Sequence, residues 1–146
     1  MNAFSWRVRV YWEDTDGGGV VYYANYLKFM ERARTEWLRT FGHSQAELAD
    51  AHGFVFAVVS VCVNYRRPAR LDDELLVSCE PKPEGRASLR FRQVVTKVLA
   101  EPGDGDPIVL ADGEVRVACV DAKTFRPRPL PEFVRPNLQA KVLDGQ

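Results

Sequence analysis

Residues 13–26, EDTDGGGVVYYANY, set Glu13, Asp14 and Asp16 against the consecutive glycines Gly17, Gly18 and Gly19, just ahead of an apolar stripe at helical spacing. Such a segment could hold a cation, cradle a phosphate or act on an acyl group. A twelve-residue calcium loop counted from Asp14 has its glycine in place at Gly19. Asn25, however, stands where the closing glutamate belongs, and Gly18 where an oxygen ligand belongs. A phosphate loop needs GxxxxGK followed by Ser or Thr, and a dinucleotide turn needs GxGxxG; residues 17–20 supply neither. The remaining chemistry belongs to a carboxylate beside a helix N-terminus. The carboxylate attacks a carbonyl, or directs water at it, while backbone amides at the positive end of the helix polarise the carbonyl oxygen. That arrangement suits ester or thioester cleavage. The structural alternative is a turn in which the Asp side chains only bond nearby amides.

The elements that must position this segment are legible from periodicity. Residues 6–12 alternate around Val8 and Val10, as in a strand with one wet face. From Asn25 onward Tyr26, Met30, Ala33, Trp37 and Phe41, with Leu27 and Leu38 beside them, share one helical face. Lys28, Arg32, Thr35 and Arg39 take the other. This predicts a helix of about 18 residues closing at Gly42. Ser44 and Glu47 have capping-box spacing and predict a short second helix stopping near Gly53. Strands are expected over Phe54–Tyr65, Glu74–Glu80, Arg86–Leu99 and Ile108–Val120, with turns at Arg67-Pro68, Pro81–Gly85 and Pro102–Pro107. No helical pattern separates these strands, so the sheet should be antiparallel. Phe125–Pro136, with Pro127, Pro129, Pro131 and Pro136, reads as an extended tail.

At 146 residues the chain is expected to be one domain over 1–146, and its 46% apolar content can fill a core without crosslinks. Lys plus Arg and Asp plus Glu both total 20, so no net field favours nucleic acid or an anionic membrane. Cys62, Cys79 and Cys119 form no zinc spacing and read as reduced, buried thiols. The opening residues lack the apolar region of a secretory signal, which points to the cytoplasm. The longest apolar stretch, Phe54–Val63, is broken by Ser60, falls short of the ~20 residues of a membrane helix and reads as a buried strand.

Several other groups carry candidate roles. Arg86, Ser88, Arg90 and Arg92 fall on one face of a strand, with Ala87, Leu89 and Phe91 on the other. Arg66, Arg67 and Arg70 form a second basic cluster that could bind phosphate or solvate a strand end. Asp72 and Asp73, adjacent and pointing apart, make turn caps rather than the paired acids of a glycosidase. Trp6, Trp12 and Trp37 are assigned to the core or a subunit contact, and His43 and His52 to helix-end or surface positions.

The run VYWEDTDGGGVVYYANYLKFMERARTEWLR resembles the signature of the hot-dog-fold acyl-CoA thioesterases. It is most similar to the Tol-Pal-associated, YbgC-type branch and its relative 4-hydroxybenzoyl-CoA thioesterase. The likeness continues through NYRRPARLDDEL (Asn64–Leu75) and the RPRPLPE tail. It implies an α+β hot-dog fold, a long helix wrapped by an antiparallel sheet, and a homodimer or homotetramer with acyl pockets between subunits. It implies hydrolysis of acyl-CoA, or of an acyl group on a carrier protein, without metal or redox cofactor. The second aspartate of the Asp-x-Asp pair, catalytic in the family, carries over to Asp16, with Asp14 in support and the oxyanion held by amides near Tyr23. Substrate contacts carry over to Val21, Asn25, Phe56, Ala57, Val58, Arg86, Ala87 and Ser88. Tyr23 departs from the histidine usual in the YbgC-type branch, which leaves the amide role intact and removes a side-chain acid or base. A non-catalytic acyl-CoA-binding or scaffolding module of the same fold is the alternative. An acyl hydratase or dehydratase is disfavoured by the absence of histidine from residues 13–30.

Overall fold

The computed structural model describes residues 4–99, 105–132 and 134. In chain order it contains β1 (Phe4–Arg9), a 3-10 turn (Trp12–Asp14) and α1 (Asn25–Arg39). The short α2 (Gln45–Glu47) follows and runs into one π-helical turn (Leu48–His52). Then come β2 (Phe54–Tyr65), β3 (Glu74–Glu84), β4 (Ser88–Lys97) and β5 (Ile108–Asp121). The strands form one sheet in the order β1-β3-β4-β5-β2, antiparallel at every junction. This is the expected α+β arrangement, because no crossover helix lies between β2 and β5 to permit parallel pairing.

α1 lies against the sheet and buries Tyr26, Phe29, Met30, Ala33, Trp37 and Leu38. Two positions differ from the expected stripe: Leu27 is exposed and Phe29 is fully buried. Steps of three and four residues from Tyr26 run through 29, 30, 33 and 37, so position 27 falls outside the seam. The helix ends three residues before Gly42, whose φ of +86° lets the chain turn back. Ser44 Oγ accepts a 3.2 Å hydrogen bond from the Glu47 amide and caps α2, and Gly53, at φ +75°, ends the π turn.

Three further expectations are corrected. β3 runs through Pro81 and Pro83 to Glu84, where a turn was expected. Pairing of β3 with β1 is described as far as Cys79, and among the described residues Pro81 and Pro83 pair with β4 only, opposite Phe91 and Leu89, where a missing N–H on the other edge costs little. β2 is not a buried strand: Val58, Val59 and Val61 are 53%, 54% and 42% exposed, because among the described residues β2 is an edge strand paired only with β5. For the same reason Cys62 is exposed, whereas Cys79 and Cys119 are buried. Of the tryptophans assigned to the core or a subunit contact, Trp37 is a core residue, and Trp6 and Trp12 are on the surface of the chain.

Gly113 is required where β2 crosses β5: a Cβ there would stand 2.5 Å from the Cys62 carbonyl oxygen. Among the described residues the tail turns at Phe125, at φ +59°, and then runs extended through Pro131, as expected. Arg128 donates its amide to the Cys119 carbonyl at 2.8 Å, and Leu130 donates to Arg86 at 2.8 Å. Pro136 and the first part of the turn at Pro102–Pro107 lie outside the described residues. Among the described residues no helix is long and apolar enough to cross a membrane.

Candidate active site

The two aspartates of the loop occupy different environments. Asp14 is buried, and its Oδ2 accepts a 2.8 Å bond from the Tyr11 amide. Its carbonyl accepts from the Tyr22 amide and from Asn25 Nδ2, each at 2.9 Å. Asp14 and Asn25 together therefore clamp the loop onto the first turn of α1. Asp16 is exposed two residues on. Its amide donates to Val20 at 2.8 Å, its carbonyl accepts from Gly19 at 3.1 Å, and Oδ1 accepts from the Gly18 amide at 2.7 Å. Gly19, at φ +78°, closes this turn, a conformation open to glycine at little cost. One carboxylate oxygen is thus oriented by the backbone, and Oδ2 makes no hydrogen bond among the described residues.

The far side of the loop is tied to the segment after β2. Val21 donates its amide to the Ala69 carbonyl at 2.9 Å, and Val20 bridges Arg70. Val21 and Asn25, both expected to touch substrate, are buried, Val21 in the core and Asn25 against Asp14. Tyr26 buries its ring and accepts the Ala69 amide on its hydroxyl at 3.1 Å.

α1 opens without a side-chain cap at Ala24. The Tyr22 and Asn25 amides are engaged, whereas those of Tyr23 and Ala24 have no acceptor among the described residues. Both lie at the positive end of the helix, where unsatisfied donors bind developing negative charge. The Tyr23 ring is exposed, and the Tyr65 hydroxyl donates to the Tyr23 carbonyl at 2.9 Å. Tyr65 packs edge-on against both Tyr23 and Tyr26. Burial raises the Tyr26 phenol above its ordinary range, and partial desolvation with the neighbouring Tyr23 and Tyr26 phenols raises that of the half-exposed Tyr65, so both are neutral at physiological pH. Sequence reasoning gave Tyr65 no role; its signals are its place at the end of β2, just before the arginine-rich segment, and inside the run NYRRPARLDDEL.

The remaining expected residues come together elsewhere. β5 brings two segments onto one row: Ala57 lies opposite Ala118, which lies opposite Ser88, and Cys119 donates its amide to the Ala87 carbonyl at 2.7 Å. Phe56 and Val58 line a cavity of about 130 Å³ between α1 and the sheet, shared with Arg34, Trp37, Gln45 and Phe91. Arg34 donates to the buried Gln93 at 3.0 Å, and burial lowers its guanidinium from its ordinary range. Ser88 falls on the same face of β4 as Arg90 and Arg92, as expected, but it is buried where they are exposed. Arg90 pairs with Glu84 and Glu114, and Arg66 with Asp112 at 2.8 Å. Asp73 caps a turn, its Oδ2 accepting from the Arg70 amide at 2.9 Å. Cys119 is a poor nucleophile, since burial pushes its thiol up to about 11.

The chain belongs to the thioesterase-like superfamily, whose family model matches residues 10–138, and the sheet and helix above are its α+β hot-dog fold. Within it the sequence is of the YbgC type. It is 40% identical over 134 residues to the acyl-CoA thioesterase YbgC of Haemophilus influenzae, spanning 92% of this chain and 93% of that protein. It is 44% identical over 131 residues to the acyl-CoA thioester hydrolase YbgC of Escherichia coli, spanning 90% and 92%. Among solved structures, the 1,4-dihydroxy-2-naphthoyl-CoA thioesterase of Synechocystis superposes with a TM-score of 0.79 at 25% identity, covering 94% of this chain and 96% of that one.

Proposed function

We propose that the chain hydrolyses acyl-CoA thioesters to a free acid and coenzyme A, with Asp16 as the reacting carboxylate. The observation that carries this reading is the Asp16 turn: its Oδ1 is held by the Gly18 amide at 2.7 Å, directly ahead of the open Tyr23 and Ala24 amides of α1. Those amides would take the developing charge on the thioester oxygen. Two routes fit. As a nucleophile, the carboxylate forms a mixed anhydride and expels the coenzyme A thiolate, and water then cleaves the anhydride to acid and regenerated Asp16. As a general base, it takes a proton from water, the hydroxide adds to the carbonyl, and the tetrahedral intermediate expels the thiolate, which receives the proton. Neither route needs a cofactor or metal. Asn25 and Val21 position the loop in this reading, rather than touching the thioester.

The acyl and coenzyme segments, Phe56, Ala57 and Val58 with Arg86, Ala87 and Ser88, sit at the opposite end of β2 from Tyr65. At about 3.3 Å per residue, Val58 and Tyr65 stand roughly 23 Å apart. One copy therefore does not bring these segments to its own Asp16. A homodimer, alone or as half of a homotetramer, would do so. Antiparallel pairing of β2 with β2 of a second copy, centred on Ser60 and Val61, sets Ala57 of one chain opposite Asn64 of the other. The free edge of β2 and the exposure of Val58, Val59 and Val61 support that pairing. Three free cysteines suit the reducing cytoplasm where acyl-CoA is found.

The test is release of coenzyme A thiol from short, medium, long and aromatic acyl-CoAs. Cleavage of any of them supports the reading, and the pattern reports the acyl preference. Folded protein that binds acyl-CoA and cleaves none would point to the binding-module alternative, and cleavage only of an acyl carrier protein would move the substrate to that carrier.

A further inference from the structure

The chain has two histidines, His43 and His52, and the connection between α1 and β2 folds them around Glu47. Ser44 caps α2 and so sets His43 one turn before Glu47, with Nδ1 2.8 Å from Oε1. The π turn that follows carries an extra residue per turn. It ends at Gly53 and returns His52 over the start of α2, its ring edge-on to that of His43 with centroids 6.0 Å apart. One ligand atom from each of the three side chains lies within 4.8 Å of the other two. Two imidazoles and a carboxylate are the donor set of borderline divalent ions of the zinc class.

We propose that His43, Glu47 and His52 form a zinc-class metal site, with water in the fourth position, that closes the α1–β2 connection. Tetrahedral bonds of about 2.0–2.1 Å set ligand atoms about 3.4 Å apart. The contraction from 4.8 Å is within reach of χ rotations of Glu47 and His52, both exposed. Arg128 directs its Nη1 at the His52 and Gly53 carbonyls, 3.3 and 2.9 Å away, with Asp121 Oδ2 3.9 Å from the same nitrogen. It braces the backbone of the turn. The site also borders the cavity between α1 and the sheet: α2 supplies Gln45 to its wall and β2 supplies Phe56. A bound ion would therefore hold in place the α2 segment that carries Gln45, which lies between His43 and Glu47. None of the three ligands has a part in the proposed hydrolysis, so this site stands or falls independently of it.

The test is zinc titration of protein without a histidine tag, by competition with a chromophoric chelator and by calorimetry. His43→Gln, His52→Gln, Glu47→Gln and the double histidine variant are run beside the wild type. The expected result is one ion per chain, binding at least about tenfold weaker in each variant, and a thermal midpoint raised by zinc in the wild type alone. Metal-free melting curves that coincide with wild type establish that the variants fold. Zinc bound as tightly by the folded double variant as by the wild type, or no zinc bound by the wild type, would overturn the proposal.

Discussion

The Tyr65 phenol donates a 2.9 Å hydrogen bond to the Tyr23 carbonyl, tying the last residue of β2 to the turn that opens α1. That carbonyl shares its peptide plane with the Ala24 amide, one of the two open donors at the helix start. Tyr65 is thus placed to aim a proposed oxyanion donor from a residue forty-two positions away.

Tyr65→Phe keeps the ring packing and removes only this bond. Because Tyr65 is exposed, the expected thermal shift is small. Loss of about 1 kcal/mol of orientation should lower kcat about fivefold with little change in KM. Steady-state kinetics with the best acyl-CoA substrate, paired with a melting curve, checks it; an unchanged kcat would remove Tyr65 from the account.

Gly113→Ala should destabilise the chain by about 1–3 kcal/mol, since the added methyl meets the Cys62 carbonyl oxygen at 2.5 Å and the strands must part. A denaturant midpoint well below wild type is the expected outcome. Gly18→Ala makes the contrast: its Cβ would lie 3.2 Å from Asp16 Oδ1, so that change should show in activity more than in stability.

Val59→Glu places a charge on the open edge of β2. In the proposed dimer this sets like charges close to one another, so light scattering should report dissociation toward monomer, and activity should fall with it. An active variant whose assembly is unchanged would contradict β2 pairing.

Much of this architecture is legible in the sequence because local rules and tertiary packing agree there. The stripe through Tyr26, Met30, Ala33 and Trp37 predicts α1, Ser44 and Glu47 predict the α2 cap, and β2 spans the expected Phe54–Tyr65. What escapes depends on neighbours distant in sequence. Pro81 and Pro83 read as turn residues because their places opposite Phe91 and Leu89 on β4 become apparent only once β3 and β4 are paired. Val58, Val59 and Val61 read as buried because apolar content does not reveal whether the covering surface comes from the same chain. At the site, the Asp16 loop is visible as a motif, but the opposite roles of Asp14 and Asp16 follow from which one the Tyr11 amide reaches. The His43–Glu47 spacing is helical and legible; His52 joins them only through the π turn, which carries no periodic signal.

The most direct measurement of the central claim is kcat/KM for Asp16→Asn against wild type, with both shown to have the same fold and assembly. Asparagine is nearly isosteric and can still accept the Gly18 amide, so stability should be retained while a base or nucleophile is lost. The account predicts a fall of at least about 100-fold. An Asp16→Asn enzyme that turns over acyl-CoA at near wild-type rate would contradict it.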